Sequence, residues 1–183
     1  VKGYIMERKV NRRLFFQMNV DAMPSFYSTD DFPEVKLFAE RFADIKSEYL
    51  ANGKKDEMYM PYPARKLYLD DDWKVIPFEH KGTKFQDHPD DEQFIDGERE
   101  FPILAKTIEE VFGDRVQTSG FSMLKANSYI GEHRGMPDNC LRFHLGIDVP
   151  EGDVGIRVGD DVQRWEDGSM FIFDDRKLHE AWN

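Results

Sequence analysis

A single cysteine, Cys140, is all that 183 residues supply. It cannot close an intrachain disulfide, so a disulfide scaffold and a cysteine-rich zinc cluster are both excluded, and a reducing compartment, most simply the cytoplasm, is expected. Long apolar runs are also missing. No stretch approaches the roughly 20 residues that span a bilayer, and the N-terminus lacks an apolar core with a small-residue cleavage site, so no membrane span is expected. Positive charge is scarce as well: 25 Lys and Arg against 36 Asp and Glu leave a formal charge of -11. Such a surface repels nucleic acid and anionic lipid, and no nucleic-acid partner is expected. The basic cluster Arg8, Lys9, Arg12 and Arg13 borders Leu14-Phe15-Phe16 and reads as the rim of a packed segment. There is no internal repeat and no low-complexity tract.

Hydrophobic residues make up 40% of the chain and include 15 Phe, enough to fill the core of one domain. In residues 33–52, Val35, Phe38, Phe42, Ile45 and Tyr49 form a stripe in steps of three and four, which predicts one amphipathic helix. Thr29, Asp30 and Asp31 offer caps, Pro33 suits the first turn and Gly53 the end. A second helix is expected from Pro102 to Phe112, with Ile103, Leu104, Ile108 and Val111 inside and Gly113 as its stop. Between them, Trp73 to Phe78 reads as a strand. Residues 80–100 read as a long acidic surface loop, with His80 and His88 as ordinary polar-loop histidines.

From Val116 the hydrophobic period changes to two. Leu141, Phe143, Leu145, Ile147 and Val149 alternate with Arg142, His144, Gly146 and Asp148, which predicts a strand with an apolar back and a polar front. The turn Pro150-Glu151-Gly152-Asp153 precedes Val154, Ile156 and Val158 in the same alternation, and Asp167-Gly168 precedes a strand at Met170–Phe173. Short strands at this spacing predict an antiparallel barrel or jelly roll. The expected organisation is mainly β (α+β), with a helical and loop-bearing part over residues 1–115 packed outside a β core over residues 116–183.

Three histidines fall at or near strand ends or on the polar front of a strand: His133, His144 and His179. A closed sheet would gather such ends. A neutral imidazole suits Fe(II), and one class of iron oxygenase uses two histidines and a carboxylate two residues after the first. Here that position is Gly135.

The stretch from Phe121-Ser122-Met123 through His133-Arg134-Gly135, Asn139 to Gly146, Ile156-Arg157, Trp165 to Gly168 and Phe171 to Trp182 closely resembles the aspartyl/asparaginyl β-hydroxylase family. Trp73 to Phe78 also resembles a family segment, whereas residues 1–70 carry nothing that can be placed. The resemblance implies a double-stranded β-helix and an oxygenase that uses Fe(II), O2 and 2-oxoglutarate, releasing succinate and CO2 as it oxidises an unactivated C–H bond. It implies that His133 and His179 bind the metal, that Ser122 and His144 contact 2-oxoglutarate, and that Arg142 pairs with an acidic group of the substrate. Gly135 resembles the peptidyl aspartate hydroxylase branch, which also has glycine there and works with two histidines. Asp175, four residues before His179, is expected to orient a metal-bound water from the second shell. The structural alternative for Arg142 is a salt bridge to a nearby acid such as Asp148, and for Asp175 a turn.

The family also places an arginine beyond the distal histidine for the far carboxylate of 2-oxoglutarate. The expectation is a further strand after Asn183, since a barrel ending at Trp182-Asn183 would leave a sheet edge open. The substrate expected is a small-molecule, carrier-bound or peptidyl acid. Two other outcomes stand beside hydroxylation: halogenation, with chloride in the space left at Gly135, and a β-helix binding module that has lost the chemistry.

Overall fold

The computed structural model describes residues 2–9, 20–53, 56–80, 83–84, 96–135 and 140–183. Twelve strands are numbered among these residues: β1 (Lys2–Lys9), β2 (Phe26–Tyr27), β3 (Met60–Pro61), β4 (Trp73–His80), β5 (Thr83–Lys84), β6 (Val116–Leu124), β7 (Tyr129–His133), β8 (Cys140–Asp148), β9 (Gly155–Val158), β10 (Asp161–Arg164), β11 (Met170–Phe173) and β12 (His179–Trp182). They form two antiparallel sheets. The larger runs β2-β11-β8-β1-β6-β4-β3 with β5 beside β4, and the smaller runs β10-β9-β12-β7.

The larger sheet draws strands from both parts of the chain. β1, where the sequence carried no readable signal, sits in the middle of it, antiparallel to β6 on one side and β8 on the other. Gly3 lies opposite Ser122 and Gly146, and Ile5 lies opposite Gly120 and His144, so β1 forms the backbone floor between two expected site positions, Ser122 and His144. β12 is interior, paired with β7 and β9, so Trp182 does not lie on an open sheet edge.

Four helices are numbered: α1 (Lys36–Glu40), α2 (Phe42–Asn52), α3 (Gly97–Glu100) and α4 (Pro102–Phe112). The helix expected over residues 33–52 is thus three pieces, a 3-10 turn at Pro33–Val35 followed by α1 and α2. The break falls at Arg41, whose guanidinium reaches Thr107 (3.1 Å) and Glu110 (2.6 Å) on α4. The stripe is nonetheless correct: Val35, Phe38, Ile45 and Tyr49 are buried and Phe42 is partly so. Asp30 and Asp31 do not cap it. They lie in a separate 3-10 turn capped by Ser28. α4 has its expected bounds and ends at Gly113 with φ 51, but Ile103 is 38% exposed because it faces away from the sheet. Its first amides at Ile103 and Leu104 are capped from a distance by the Glu48 carboxylate (2.8 and 3.0 Å), which suits the positive end of a helix.

Two cores flank the larger sheet. On one face, Ile76, Phe121, Phe143, Leu145 and Ile172 pack under Phe38, Tyr49, Leu104 and Val111 of the helices. On the other, Trp73, Leu124 and Phe173 meet Ile130, Ile156, Val158 and Ala181 of the smaller sheet. The alternation in β8 divides as read for Leu141, Phe143, Leu145 and Ile147, which face the helices, with Arg142 and His144 toward the smaller sheet, whereas Val149, beyond the strand, packs against the other core. The turn at residues 150–153 carries the chain from one sheet to the other. Of the long acidic loop, residues 83–84 form β5 and residues 97–100 form α3. His88, Arg12 and Arg13 lie outside the described residues. Among the described residues no helix is long and apolar enough to cross a membrane.

Candidate metal and cosubstrate site

His133 ends β7 and His179 begins β12, and the two are paired directly across the smaller sheet. Strict alternation along β7 would put Ile130 and His133 on opposite faces. The register shifts here: His179 pairs with His133 but Ala181 pairs with Ile130, so three residues' advance on β7 faces two on β12. This bulge turns His133 inward, beside the inward-facing Ile130, a common use of bulges next to functional sites. The imidazole centroids are 4.2 Å apart.

Each ring is held by the backbone carbonyl two residues before it. His133 Nδ1 lies 2.7 Å from the Gly131 carbonyl and His179 Nδ1 lies 2.9 Å from the Lys177 carbonyl. A carbonyl only accepts, so each Nδ1 carries a proton and Nε2 is the nitrogen of each ring left to ligate a metal. Burial, followed by the neighbouring His133, lowers the His179 pKa to about 4, with the Lys177 carbonyl opposing. At neutral pH its imidazole needs no deprotonation to bind a metal. Two imidazoles, each oriented by a backbone carbonyl, fit Fe(II). Among the described residues no set of three or more His, Cys, Asp or Glu side chains is gathered as a metal cluster.

Next to this pair, Gly135 donates its N–H to the Asp175 carbonyl (2.7 Å). A Cβ placed on Gly135 would overlap the Asp175 carboxylate. The space expected to be vacant at Gly135 is therefore filled by an acid from the other end of the site. Arg142 Nε donates to Asp175 Oδ2 at 2.7 Å, with the side chains 14% and 4% exposed. Asp175 is thus a partner of Arg142, held through its Nε. Burial raises the Asp175 pKa, and Arg142 opposes the shift. The turn that carries Asp175 is clamped on both sides. Arg176 binds the fully buried Asp174 through Nε (2.8 Å) and Nη2 (2.5 Å), and Lys177 reaches the Met23 carbonyl (2.5 Å).

His144 lies between Trp165 (5.9 Å, stacked) and Phe173 (4.9 Å, edge-on). Burial, then the charge of Arg142, lowers its pKa to about 3, so it is neutral and offers one N–H. Ser122 Oγ accepts from Trp73 Nε1 at 2.9 Å, which leaves its own hydroxyl proton to donate.

An aromatic wall was not foreseen. Tyr62 stacks on Trp73 at 3.7 Å and 16°, Tyr68 meets Trp73 edge-on, and Trp73 packs 6.3 Å from His133. Burial, then nearby Asp175, raises the Tyr62 pKa. The signal available was the aromatic spacing Tyr62-x5-Tyr68-x4-Trp73.

A family model described as aspartyl/asparaginyl beta-hydroxylase matches residues 39–183. The chain belongs to that family. The match reaches well upstream of residue 116, where the resemblance in the sequence becomes dense, and takes in α2, β4 and the aromatic wall. The human aspartyl/asparaginyl beta-hydroxylase is 30% identical over 150 residues, covering 81% of this chain and 19% of that protein. An ornithine lipid ester-linked acyl 2-hydroxylase of Rhizobium tropici is 43% identical over 68 residues, 36% of this chain and 24% of its own length. Aspartate beta-hydroxylase domain-containing protein 2 of Xenopus tropicalis is 27% identical over 181 residues, 93% of this chain and 45% of that protein. The chain thus spans less than half the length of these relatives.

Proposed function

We propose that this chain is an Fe(II)- and 2-oxoglutarate-dependent dioxygenase that hydroxylates a C–H bond of a carboxylate-bearing substrate, within two facing sheets that are the halves of a double-stranded β-helix. The observation that carries the reading is the His133–His179 pair, with both Nδ1 atoms tied to carbonyls and both Nε2 atoms free to ligate. When bound, iron and 2-oxoglutarate supply the oxidising power, with O2 as co-reactant. The chain's residues supply placement. Ser122 and neutral His144 donate to the cosubstrate carboxylates from the two strands that flank β1. Trp73 orients the Ser122 hydroxyl and, with Tyr62, excludes water from the His133 side. Asp175 accepts hydrogen bonds at the position that a side chain on residue 135 would otherwise fill.

That placement favours hydroxylation over halogenation, because a fixed carboxylate beside the metal repels a halide at the same place. The single cysteine, which is buried, suits action in a reducing compartment such as the cytoplasm. The test is turnover of acidic amino acids, carrier-bound aspartate and peptides with Fe(II) and 2-oxoglutarate, with and without chloride or bromide. Succinate together with a product heavier by one oxygen is expected. An iron-loaded protein that never consumes 2-oxoglutarate would overturn the reading, and a halogen mass shift would replace hydroxylation.

A further inference from the structure

The outer face of the smaller sheet, behind the histidine pair, carries a side-chain network centred on Arg157. We propose that Arg157 is a positioning residue for the metal pair, acting from that face through Glu132 and Glu180, the chain neighbours of His133 and His179. The inference rests on the metal site proposed above.

Among the described residues β7 is the last strand of the smaller sheet, with β12 as its partner there. The bulge before His133 lies in this edge strand, and a bulge leaves its extra residue outside the ladder. Backbone pairing alone therefore holds His133 loosely against His179. Arg157, on β9, stands opposite Glu180 of β12, and its side chain points outward because Ile156 and Val158 on either side of it are buried. Its Nε donates to Glu180 (2.8 Å), its Nη2 to Glu132 (2.7 Å) and its Nη1 to the Gly159 carbonyl (2.9 Å). The guanidinium thus reaches over β12 and ties β9 to β7, two strands away. Gly159 in turn donates its N–H to the Leu178 carbonyl (2.8 Å). Arg157 therefore engages both neighbours of His179, Glu180 directly and Leu178 through Gly159. Tyr129 closes the circuit by donating its hydroxyl to the other oxygen of Glu180. The network holds β7 at Tyr129 and Glu132, one residue before each of its inward side chains, Ile130 and His133. The side chains of Arg157, Glu180 and Glu132 are 30, 17 and 44% exposed, and ion pairs this open contribute little to global stability. A planar fork with all three nitrogens engaged still fixes geometry, which is what two ligands from separate strands require.

The test is titration of the full chain with Co(II), read by visible absorption, beside urea midpoints of the metal-free protein. Arg157→Gln is expected to weaken Co(II) binding about tenfold or more and to alter the absorption envelope, with the urea midpoint nearly unmoved. Arg157→Lys keeps the charge without the fork and should recover only part of the affinity. The double variant Arg157→Gln/Glu132→Ala should bind no more weakly than Arg157→Gln, because two residues that act through one contact are not additive. Unchanged affinity and spectrum in Arg157→Gln, a loss that tracks a fall in stability, or additive effects in the double variant overturns the proposal. Should Arg157→Gln fail to fold, Glu132→Ala at the exposed end decides, with a several-fold loss of Co(II) affinity expected and no loss overturning it. Amide hydrogen exchange gives a readout without metal. Residues 129–133 should exchange faster in the Arg157 or Glu132 variant than in the wild type while β8 stays protected, and equal protection of 129–133 also overturns the proposal. A wild type that binds Co(II) no better than His133→Ala, in contrast, is a failure of the metal site, and the exchange measurement then decides by itself whether Arg157 braces β7.

Discussion

His133 stands opposite His179 because β7 carries one extra residue between Ile130 and His133. The bulge, and not the alternation of the strand, delivers the first of the two proposed metal ligands to the interior. Deleting Glu132 leaves an advance of two residues on both strands, so plain alternation keeps residue 133 on the inward face with Ile130. The expected outcome is a metal affinity kept within the roughly 10- to 100-fold that removal of a supporting contact costs, with far-ultraviolet dichroism retained. Titration with Co(II), followed by its visible absorption, measures it, and complete loss of binding would show that the extra residue itself is required.

Gly135→Ala tests the crowding at Asp175. The added methyl overlaps a carboxylate pinned by Arg142, and overpacking of this kind costs about 1–3 kcal/mol. A lower denaturation midpoint and loss of turnover are expected together. A variant as stable and active as the wild type would mean that Asp175 moves aside freely.

Acid should weaken the metal-free protein through its buried histidines. The folded pKa values are about 3 for His144 and about 4 for His179, whereas an unfolded histidine titrates near about 6.5. Between those limits the unfolded chain binds protons that the folded chain refuses, so stability falls as pH drops from about 6.5 toward about 4, and the His179 contribution levels off below that. Asp175 works in the opposite sense, because its raised pKa makes the folded state the better proton binder. The expected fall between pH 7 and pH 5 is the contribution of the two histidines. Urea midpoints at pH 7 and pH 5 should show it, and His179→Gln should flatten the slope; equal slopes in the two proteins would exclude His179 as the cause.

Trp73→Phe keeps a ring against Tyr62 and His133 but removes the indole N–H that Ser122 accepts. A lost hydrogen bond of this kind costs about 0.5–1.5 kcal/mol. The KM for 2-oxoglutarate is expected to rise several-fold with kcat little changed. A fall in kcat alone would place Trp73 in the chemical step instead of in cosubstrate binding.

Much of this protein is set by local sequence. The alternation from Leu141 to Ile147 is enough to put Arg142 and His144 on one face, because side chains on a strand alternate whatever lies around them. Pro102 to Gly113 likewise carries its own start, apolar face and stop. The residues of the family motif, His133, Gly135 and His179 among them, are legible in one dimension. Tertiary structure decided what those residues do to each other. Whether His133 points inward depends on a register shift against β12, which no pattern within β7 contains. Whether Gly135 leaves a gap depends on Asp175, brought there by pairing between strands more than 40 residues apart in sequence (179 against 133). The strand between Ser122 and His144 comes from residues 2–9, more than 100 positions away. Alternation and helical period report only which side of an element is apolar, while register, bulges and the identity of a neighbouring strand are set by pairing energies that sum over distant parts of the chain.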